Sequence, residues 1–379
     1  MTCSRRTARA GGIALALAAL AGCGADTAKL SPIAWQKVTG PGPGGAVLGL
    51  GAPGDFDERG NFTVSAFEDA GVVWLYYGGS DAEQGDPGCP GIRDTRWRVG
   101  LARSTDGVAF TRVRGDETGG AVLDVGAPGA FDSVLAYRPF VLKDGDAFRM
   151  WYNGSDHPFR CPGDELATDR RIGYAESADG VHWTKRYDGA GDRGSVLPLG
   201  APGEFDEQQL GYVWVMRDGA QYRMYYSAAD GLSFWRVGLA VSSDARTWTK
   251  VRGTNGNGSV LDLGPVGALD SACAYQPSVV KERDQLWRMW YRGCEQAAAF
   301  GGPSGGTIGY AESNDGITWV KIPQPGPNGA ALGPGPAGSF DSGGLTTPSV
   351  ILGPAGWSLY YAGFDTSGRF LTGLARAPR

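Results

Sequence analysis

The sequence predicts an all-β protein, a five-bladed β-propeller whose blades have four strands each. Three observations lead to this prediction. First, 63 Gly and 23 Pro among 379 residues are about twice the usual share, and both residues break helices. Second, 12 Trp, 15 Tyr and 14 Phe can fill a large core, which argues against a disordered chain. Third, one pattern recurs five times, and four-stranded units repeated radially form a propeller.

Each repeat begins with a glycine-rich loop that ends in an aspartate. The block Gly-Ala-Pro-Gly-x-Phe-Asp, or a variant of it, ends at Asp57, Asp132, Asp206, Asp270 and Asp341. About 19 residues later comes an aromatic pair, such as Trp151-Tyr152, followed by a segment with a central glycine, such as 172–177. Because the aspartate occurs in every repeat, we expect it to shape the entry to the first strand of each blade.

Each repeat then continues with the polar turn Ser-x-Asp-Gly-x-x-Trp. It occurs at 177–183 and 313–319, with variants at 104–110 and 242–248. Short polar side chains in such turns accept hydrogen bonds from nearby backbone amides, so we interpret the motif as structural. One repeat therefore contains four strands: one after the aspartate, one through the aromatic pair, one at the central glycine and one from the Trp onward.

The two ends of the repeated region complement each other. The last repeat stops at its third strand, 371–376, whereas Trp35-Gln-Lys-Val38 matches the start of the fourth strand in other repeats. We therefore expect the N-terminal strand near Trp35 to complete the last blade and to close the ring, which would hide two sheet edges. The predicted propeller is a single domain over 33–379.

Residues 1–22 predict an export signal rather than a part of the fold. Arg5, Arg6 and Arg9 precede an apolar stretch over 13–22 that is too short to span a bilayer comfortably. It ends in Leu-Ala-Gly-Cys23, which resembles the bacterial lipobox; an ordinary secretory signal with a chance cysteine is the alternative. The sequence thus predicts a signal peptide over 1–22, lipidation at Cys23, a tether over 23–32 and an exported protein, anchored by lipid to the membrane of the bacterial cell envelope.

Four further cysteines predict two disulfides, as expected of an even number in an oxidising compartment. Cys273 and Cys294 are equidistant from the centre of a predicted hairpin turn near 282–285, so they should face each other across it. Cys89 and Cys161 fall in corresponding loops of blades one and two. We predict that these two cysteines form the second pair.

Composition also limits the partners. The net charge is −5 and no run of Lys or Arg is long enough to form a nucleic-acid footprint, which argues against a nucleic-acid ligand. Only His157 and His182 are present, so a histidine-rich metal site is excluded. No cofactor is required by any motif, and a structural Ca²⁺ is left open because oxygen ligands abound without EF-hand spacing. We expect a monomer.

The repeated residues resemble a known group of enzymes. Phe-Asp, then Tyr-Arg-Met-Tyr-Tyr or Phe-Arg-Met-Trp-Tyr, then Ile-Gly-Tyr-Ala-Glu-Ser-x-Asp-Gly-x-x-Trp-x-Lys look like the five-bladed propeller glycosidases: arabinanases, β-xylosidases, invertases, levansucrases and mannoside phosphorylases. The resemblance covers essentially the whole chain after the signal. It implies a site at one mouth of the central channel, with three acids from the first three blades as base or nucleophile, orienting acid and proton donor.

Candidate acids follow from that resemblance. Glycoside hydrolysis needs one carboxyl group to protonate the leaving oxygen and another to activate water or attack. Directly after the repeated aspartate, only blades one and three carry Glu, at Glu58 and Glu207. With Asp132 from blade two they form the predicted catalytic trio, and Asp57 is a rival to Glu58. A second repeated acidic set follows strand two, at Asp81, Asp156, Asp230, Glu295 and Asp365, and is interpreted as structural.

Unrepeated polar and aromatic residues on the first strands supply the predicted substrate-binding set. Proteins hold sugars by the faces of aromatic rings and by polar side chains that form two hydrogen bonds at once. The set is Arg59, Asn61, Tyr137, Arg138, Gln208, Tyr275, Gln276 and, beside the second acidic set, His157. Two hypotheses follow: a glycoside hydrolase that uses paired carboxylates, or a noncatalytic propeller that binds glycans or envelope components.

Overall fold

Four-stranded antiparallel groups make up the described chain. The structure is a computed structural model that describes residues 32–81, 84–85, 93–94, 96–157, 170–232, 234–295 and 306–379. Ile33–Arg379 is one compact unit. The signal, Cys23 and most of the predicted tether therefore lie outside the described residues. Within those residues, no helix has the length and apolar character needed to cross a membrane.

The strands fall into five groups. The N-terminal strand is β1 (Gln36–Val38). Group one contains β2 (Gly60–Asp69), β3 (Val72–Ser80), β6 (Trp97–Ser104) and β7 (Thr111–Val113), with the short pair β4 (Gln84–Gly85) and β5 (Arg93–Asp94). Group two contains β8 (Leu135–Asp144), β9 (Ala147–Ser155), β10 (Arg171–Ser177) and β11 (Thr184–Arg186). Group three contains β12 (Gln209–Asp218), β13 (Gln221–Ala229), β14 (Trp235–Ser242) and β15 (Thr249–Val251).

Group four contains β16 (Cys273–Arg283), β17 (Leu286–Cys294), β18 (Thr307–Ser313) and β19 (Val320–Lys321). Group five contains β20 (Gly344–Gly353), β21 (Gly356–Phe364) and β22 (Phe370–Ala377). In the described part of the chain the helical segments are single 3₁₀ turns, at Pro43–Gly45, Thr118–Gly120, Asp192–Gly194 and Pro327–Gly329. The fold is therefore all-β, as predicted.

The N-terminal strand is the fourth strand of group five. It pairs antiparallel with β22, in the register Gln36 opposite Arg376 and Val38 opposite Leu374. The lysine between them reaches across the group, because Lys37 Nζ lies 2.5 Å from Asp341 Oδ2. The prediction that the segment near Trp35 completes the last repeat is confirmed by this pairing.

The first strands of the groups contact each other in a cycle: β2 with β8, β8 with β12, β12 with β16, β16 with β20, and β20 with β2. Buried serines tie some of them together, since Ser65 Oγ accepts the Val141 amide and Ser349 Oγ accepts the Ala66 amide. The hydrogen-bonded sheets are not continuous around this cycle; they comprise one four-stranded and two eight-stranded sheets. The architecture is thus propeller-like, with the first strands innermost.

A buried ionic latch explains the repeated aspartates. Each carboxylate accepts a hydrogen bond from a strand-two tyrosine and pairs with a cation from the fourth strand. The five latches are Asp57 with Tyr77 and Arg112, Asp132 with Tyr152 and Lys185, Asp206 with Tyr226 and Lys250, Asp270 with Tyr291 and Lys321, and Asp341 with Tyr361 and Lys37. The aspartates are at most 2% exposed. A Cβ on Gly51 or Gly126 would lie 2.1 Å from the carboxylate, which accounts for the glycine that opens each block.

The polar turns also have the predicted structural role. In the turn after β14, Asp244 Oδ1 accepts the amides of Arg246 and Thr247, both at 2.8 Å, and the Ser242 hydroxyl. The corresponding aspartates Asp106, Asp179 and Asp315 make the same contacts. Each turn therefore holds a carboxylate whose charge is stabilised by backbone dipoles.

These turns predict acid sensitivity. Hydrogen bonds from the Thr247 and Arg246 amides lower the pKa of Asp244 to about 2, whereas an unfolded Asp titrates near 3.9. Because the folded pKa is depressed, the stabilisation is complete above about pH 4 and is lost as the pH falls toward 2. Asp244→Asn should reduce the slope of the unfolding free energy against pH between pH 4 and 2, measured by urea denaturation, and the other three turns should account for part of the slope that remains. An unchanged slope would contradict this origin of the acid sensitivity.

One predicted disulfide is confirmed. Cys273 and Cys294 are bonded and face each other across β16 and β17. Cys89 and Cys161 lie outside the described residues, so their pairing stays a prediction.

Candidate functional site

Every first strand is interrupted by a β-bulge near its start. The strand register shifts between Phe62 and Val64, Tyr137 and Phe140, Gly211 and Val213, Tyr275 and Ser278, and Thr346 and Ser349. The residue six positions after the latch aspartate has a positive φ at Arg138 (57°), Tyr212 (41°), Gln276 (57°) and Thr347 (49°). Such a conformation costs on the order of 1–3 kcal/mol per residue, so the bulges re-aim these side chains at an energetic cost.

The bulge residues converge on the axis of the fold. Arg138, Tyr212, Gln276 and Thr347 line one small cavity of about 20 Å³, together with the prolines that follow three of them. This volume holds about one water molecule. Four of the five groups therefore bring an unrepeated side chain to the same point, although these side chains are far apart in the sequence.

Arg138 is the central residue of this convergence. It is 6% exposed, and its guanidinium carbon lies 3.7 Å from the ring centroid of Tyr212 and 4.5 Å from that of Tyr137. Within the described residues its Nε and Nη1 have no hydrogen-bond partner. Burial lowers the pKa of Arg138 from its usual value, because water no longer solvates the charge.

Two aromatic clusters flank this arginine. Phe62 and Tyr137 both contact Trp97, with ring centroids 5.6 and 5.8 Å apart, and Tyr275 contacts Tyr212 and Trp235 at 5.4 and 5.2 Å. We call these six residues the aromatic collar: Phe62, Trp97, Tyr137, Tyr212, Trp235 and Tyr275. All lie near the starts of first or third strands. Since these strands run in the same direction, the collar marks one end of the axis.

A polar network extends the collar toward group five. Arg292 Nη1 donates to the Tyr275 hydroxyl at 2.9 Å and to Thr346 Oγ1 at 3.3 Å. Thr346 in turn donates to Gln276 Oε1, which also accepts the Thr347 amide. Within the described residues, Gln276 Nε2 is buried without a partner. The network therefore fixes the amide orientation of Gln276 and leaves a second donor unused near Arg138.

The predicted acids lie elsewhere in their groups. Asp132 and Asp57, the rival to Glu58, are latch residues. Glu58 Oε2 accepts the Gly54 amide at 2.7 Å, and Glu207 accepts the amides of Gly203 and Gly231. Each acid is thus held within its own group. The catalytic roles of the trio stay predictions.

The electrostatics of Glu207 bear on its predicted role. The amides of Gly203 and then Gly231 lower the pKa of Glu207, because they stabilise the ionised carboxylate. A proton donor in glycoside hydrolysis needs a raised pKa. In this environment Glu207 suits the role of a base or nucleophile better than that of an acid.

The remaining predicted residues divide between the collar and other places. Tyr137, Arg138, Tyr275 and Gln276 are brought together. Asn61 is instead buried in structural contacts, where Nδ2 donates to the Gly49 carbonyl and Oδ1 accepts the Thr372 hydroxyl. Arg59 is exposed, 3.8 Å from Glu58, and half-exposed His157 lies 3.6 Å from Asp156. Gln208 Oε1 is buried and, among the described residues, has no partner.

The second acidic set is occupied by structural partners, as expected. The pairs are Asp81 with Arg98, Asp156 with Arg193, Asp230 with Arg236, Glu295 with Asn328, and Asp365 with Arg369. Over the described ranges, no cluster of three or more His, Cys, Asp or Glu could hold a metal ion.

Residues absent from the predicted set also belong to the site: Phe62, Trp97, Tyr212, Trp235 and Arg292. Tyr212 follows its latch aspartate by the same six residues as Arg138 and Gln276, so aligning the repeats would have identified it. Trp97 and Trp235 open corresponding third strands. For Arg292 we find no signal in the sequence beyond its being unrepeated.

The opposite end of the axis opens into a wider cavity of about 690 Å³. Its wall includes Phe67, Phe140 and Trp214. Three of the charged residues that line it are paired with carboxylates, Lys143 with Asp69, Arg217 with Asp144 and Lys281 with Asp218. The collar end is the better candidate site, because the unpartnered donors of Arg138 and Gln276 converge there on one cavity inside the aromatic collar.

Comparisons with known proteins agree with this fold. No protein-family profile matches the sequence. Uncharacterized protein Rv1502 of Mycobacterium tuberculosis is 29% identical over 250 residues, which are 65% of this chain and 72% of the relative.

Among solved structures, β-1,2-mannobiose phosphorylase from Listeria innocua covers 84% of this chain and 90% of its own, with a TM-score of 0.57 at 14% identity. A family 117 glycoside hydrolase from Zobellia galactanivorans covers 91% of this chain and 90% of its own, with a TM-score of 0.61 at 13% identity. A structure from the GH130 family of mannoside phosphorylases and glycoside hydrolases covers 93% of this chain and 98% of its own, with a TM-score of 0.64 at 15% identity. The chain therefore shares the propeller-like fold of these solved structures.

Proposed function

We propose that this protein binds a carbohydrate at the collar end of its axis. The observation that carries the proposal is the convergence of Arg138 and Gln276, with unused buried donors, inside the aromatic collar. Aromatic rings present flat apolar faces to sugar rings, and buried polar groups supply orientation. The partly exposed Trp97 and Trp235 provide the outer faces, and Arg138 lies deeper.

The fold neighbours support a carbohydrate ligand. The Listeria innocua phosphorylase is in complex with β-1,2-mannobiose, and another neighbour is an RGII complex. We further propose that the five groups are the blades of a closed five-bladed propeller, which the cyclic contacts of the first strands support. A lipid anchor at Cys23 would hold this propeller at the bacterial cell envelope. We also propose that the protein is a monomer.

Binding is favoured over hydrolysis by the chemistry of the described acids. Glu58 and Glu207 accept backbone amides, and Asp132 lies in a latch common to all five groups. Hydrolysis by Glu58, Asp132 and Glu207 is the second candidate function, supported by the glycoside hydrolases among the fold neighbours.

A glycan screen tests the first candidate. The protein should bind at least one oligosaccharide, and Tyr275→Ala should weaken that binding about tenfold or more, since a stacked aromatic ring contributes roughly 1–3 kcal/mol. Trp214→Ala, at the opposite end of the axis, is the matched control and should bind normally. Equal weakening by both variants, or binding unaffected by Tyr275→Ala, would exclude the collar as the site.

The same preparation tests hydrolysis. Turnover of aryl glycosides that is lost in Glu58→Gln and Glu207→Gln would establish the second candidate. Binding without turnover would support the first candidate, carbohydrate binding without catalysis.

A further inference from the structure

The collar site also indicates the class of glycan. We propose that the ligand is an acidic glycan and that Arg138 binds its anionic group. This inference rests on the proposed function, and it adds a charge requirement that carbohydrate binding alone does not include.

The first argument is the missing counter-charge. A buried cation is costly unless a partner compensates for lost water. Arg138 is 6% exposed and lies among Tyr137, Tyr212 and Tyr275, and the positive charge of Arg170 also acts on it. Arg170 adds positive potential rather than reducing it. Stacking on Tyr212 gives partial compensation, and an anion would supply the rest.

The second argument is a comparison with other arginines at the starts of strands. Arg98 pairs with Asp81 and Asp124 at 2.5 and 2.6 Å, and Arg236 pairs with Asp230 and Asp262 at 2.7 and 2.6 Å. Each of these cations thus has two carboxylates. Within the described residues Arg138 forms no salt bridge, and its Nε and Nη1 are unpaired. Arg98 and Arg236 are thus neutralised by carboxylates, whereas Arg138 has no carboxylate partner within the described residues.

The third argument is pre-organisation. The left-handed conformation of Arg138, at φ 57°, directs its side chain to the axis, as the same conformation does for Tyr212, Gln276 and Thr347. The Tyr212 ring, 3.7 Å from the guanidinium carbon, holds the planar group by one face and leaves its edge free for hydrogen bonds. A fixed guanidinium edge recognises carboxylates, and also phosphates and sulfates, through charge-assisted hydrogen bonds.

The neighbouring groups fit a sugar that carries such an anion. Gln276 Nε2 is a second unused donor on the same cavity. Arg292, held by Tyr275 and Thr346, adds a further cation at the collar. Apolar rings around a cationic centre suit a sugar ring with a carboxylate better than a free inorganic anion, which offers no face for stacking.

The test compares charged and neutralised forms of the same sugars. Fragments of hyaluronan, polygalacturonate and alginate would be titrated calorimetrically against the protein, each beside its methyl-esterified form. We expect at least one free acid to bind about 10- to 100-fold more tightly than its ester, the range of one charge-assisted hydrogen bond. Arg138→Met should abolish this preference, and Arg138→Lys should restore part of it.

The outcomes separate this inference from the proposed function. If glycans bind but acids and esters bind equally in wild type and Arg138→Met, the acidic-glycan inference is wrong while carbohydrate binding stands. If no glycan binds, the proposed function fails as well. Inorganic phosphate and sulfate are titrated in parallel, and binding of these ions alone with the same Arg138 dependence would overturn the sugar ligand. Thermal melts of each variant confirm that the fold is retained.

Discussion

Replacing Asp132 with Ala should lower the free energy of unfolding by about 3–5 kcal/mol, the usual cost of breaking a buried ion pair. Asp132 is fully buried and accepts hydrogen bonds from Tyr152 at 2.8 Å and Lys185 at 2.6 Å. Burial lowers the pKa of Lys185, and Asp132 opposes that shift. Without the carboxylate, the lysine would have to remain charged and unpaired or lose its proton on folding. Urea denaturation at pH 7 measures the loss.

Asp270→Ala is the matched control for this prediction. Asp270 forms the same latch with Tyr291 and Lys321 in group four, and it is not among the predicted catalytic acids. Similar losses for both variants would assign Asp132 a structural role. A stable Asp132→Asn protein that binds sugars but has lost turnover would instead support the predicted catalytic role.

The double variant Asp132→Ala with Lys185→Met provides a further check. Removing both charges should recover part of the lost stability, because no unpaired lysine remains; the Tyr152 hydroxyl still loses its acceptor in both variants. If the double variant is less stable than Asp132→Ala alone, the unpaired lysine is not the source of the loss.

The repeated part of the fold could be predicted because its signals are local. The latch aspartate, the aromatic pair and the Ser-x-Asp-Gly turn each keep a fixed offset, so their shared role is visible in the sequence. The same regularity predicted that Cys273 faces Cys294 and that the strand near Trp35 completes the last repeat, and both contacts are present in the structure. Each of these contacts depends on strand register, which hydrophobic alternation and turn chemistry largely determine.

The candidate site could be predicted only in part, because it depends on the bulges. Arg, Tyr, Gln and Thr rarely adopt a positive φ, so nothing in their identity indicates that residues 138, 212, 276 and 347 leave the strand pattern. A bulge also breaks the alternation of faces, which explains why the adjacent Tyr137 and Arg138 both contribute to the site. The resemblance implies acids, whereas the buried donors of Arg138 and Gln276 lack partners within the described residues.

Removing the N-terminal strand should destabilise the protein by more than the loss of any single contact that it makes. The strand pairs with β22, Lys37 neutralises the buried Asp341, and the Trp35 ring packs edge-on against Trp290 of group four at 6.0 Å. A protein of residues 40–379 would therefore bury an unpaired carboxylate and expose the edge of β22. Relative to residues 33–379, we expect a loss greater than the about 3–5 kcal/mol assigned to Lys37→Met alone.

Complementation makes this prediction specific to the missing strand. A peptide of residues 33–39 added to the shortened protein should raise its melting temperature with peptide concentration, because a ligand that binds only the folded state stabilises it by mass action. The peptide with Lys37→Met should be markedly weaker, since it restores the strand but leaves Asp341 unpaired. Equal melting temperatures for residues 33–379 and 40–379 would show that the last group does not depend on β1, and the five latches would then not be equivalent in stabilising the fold.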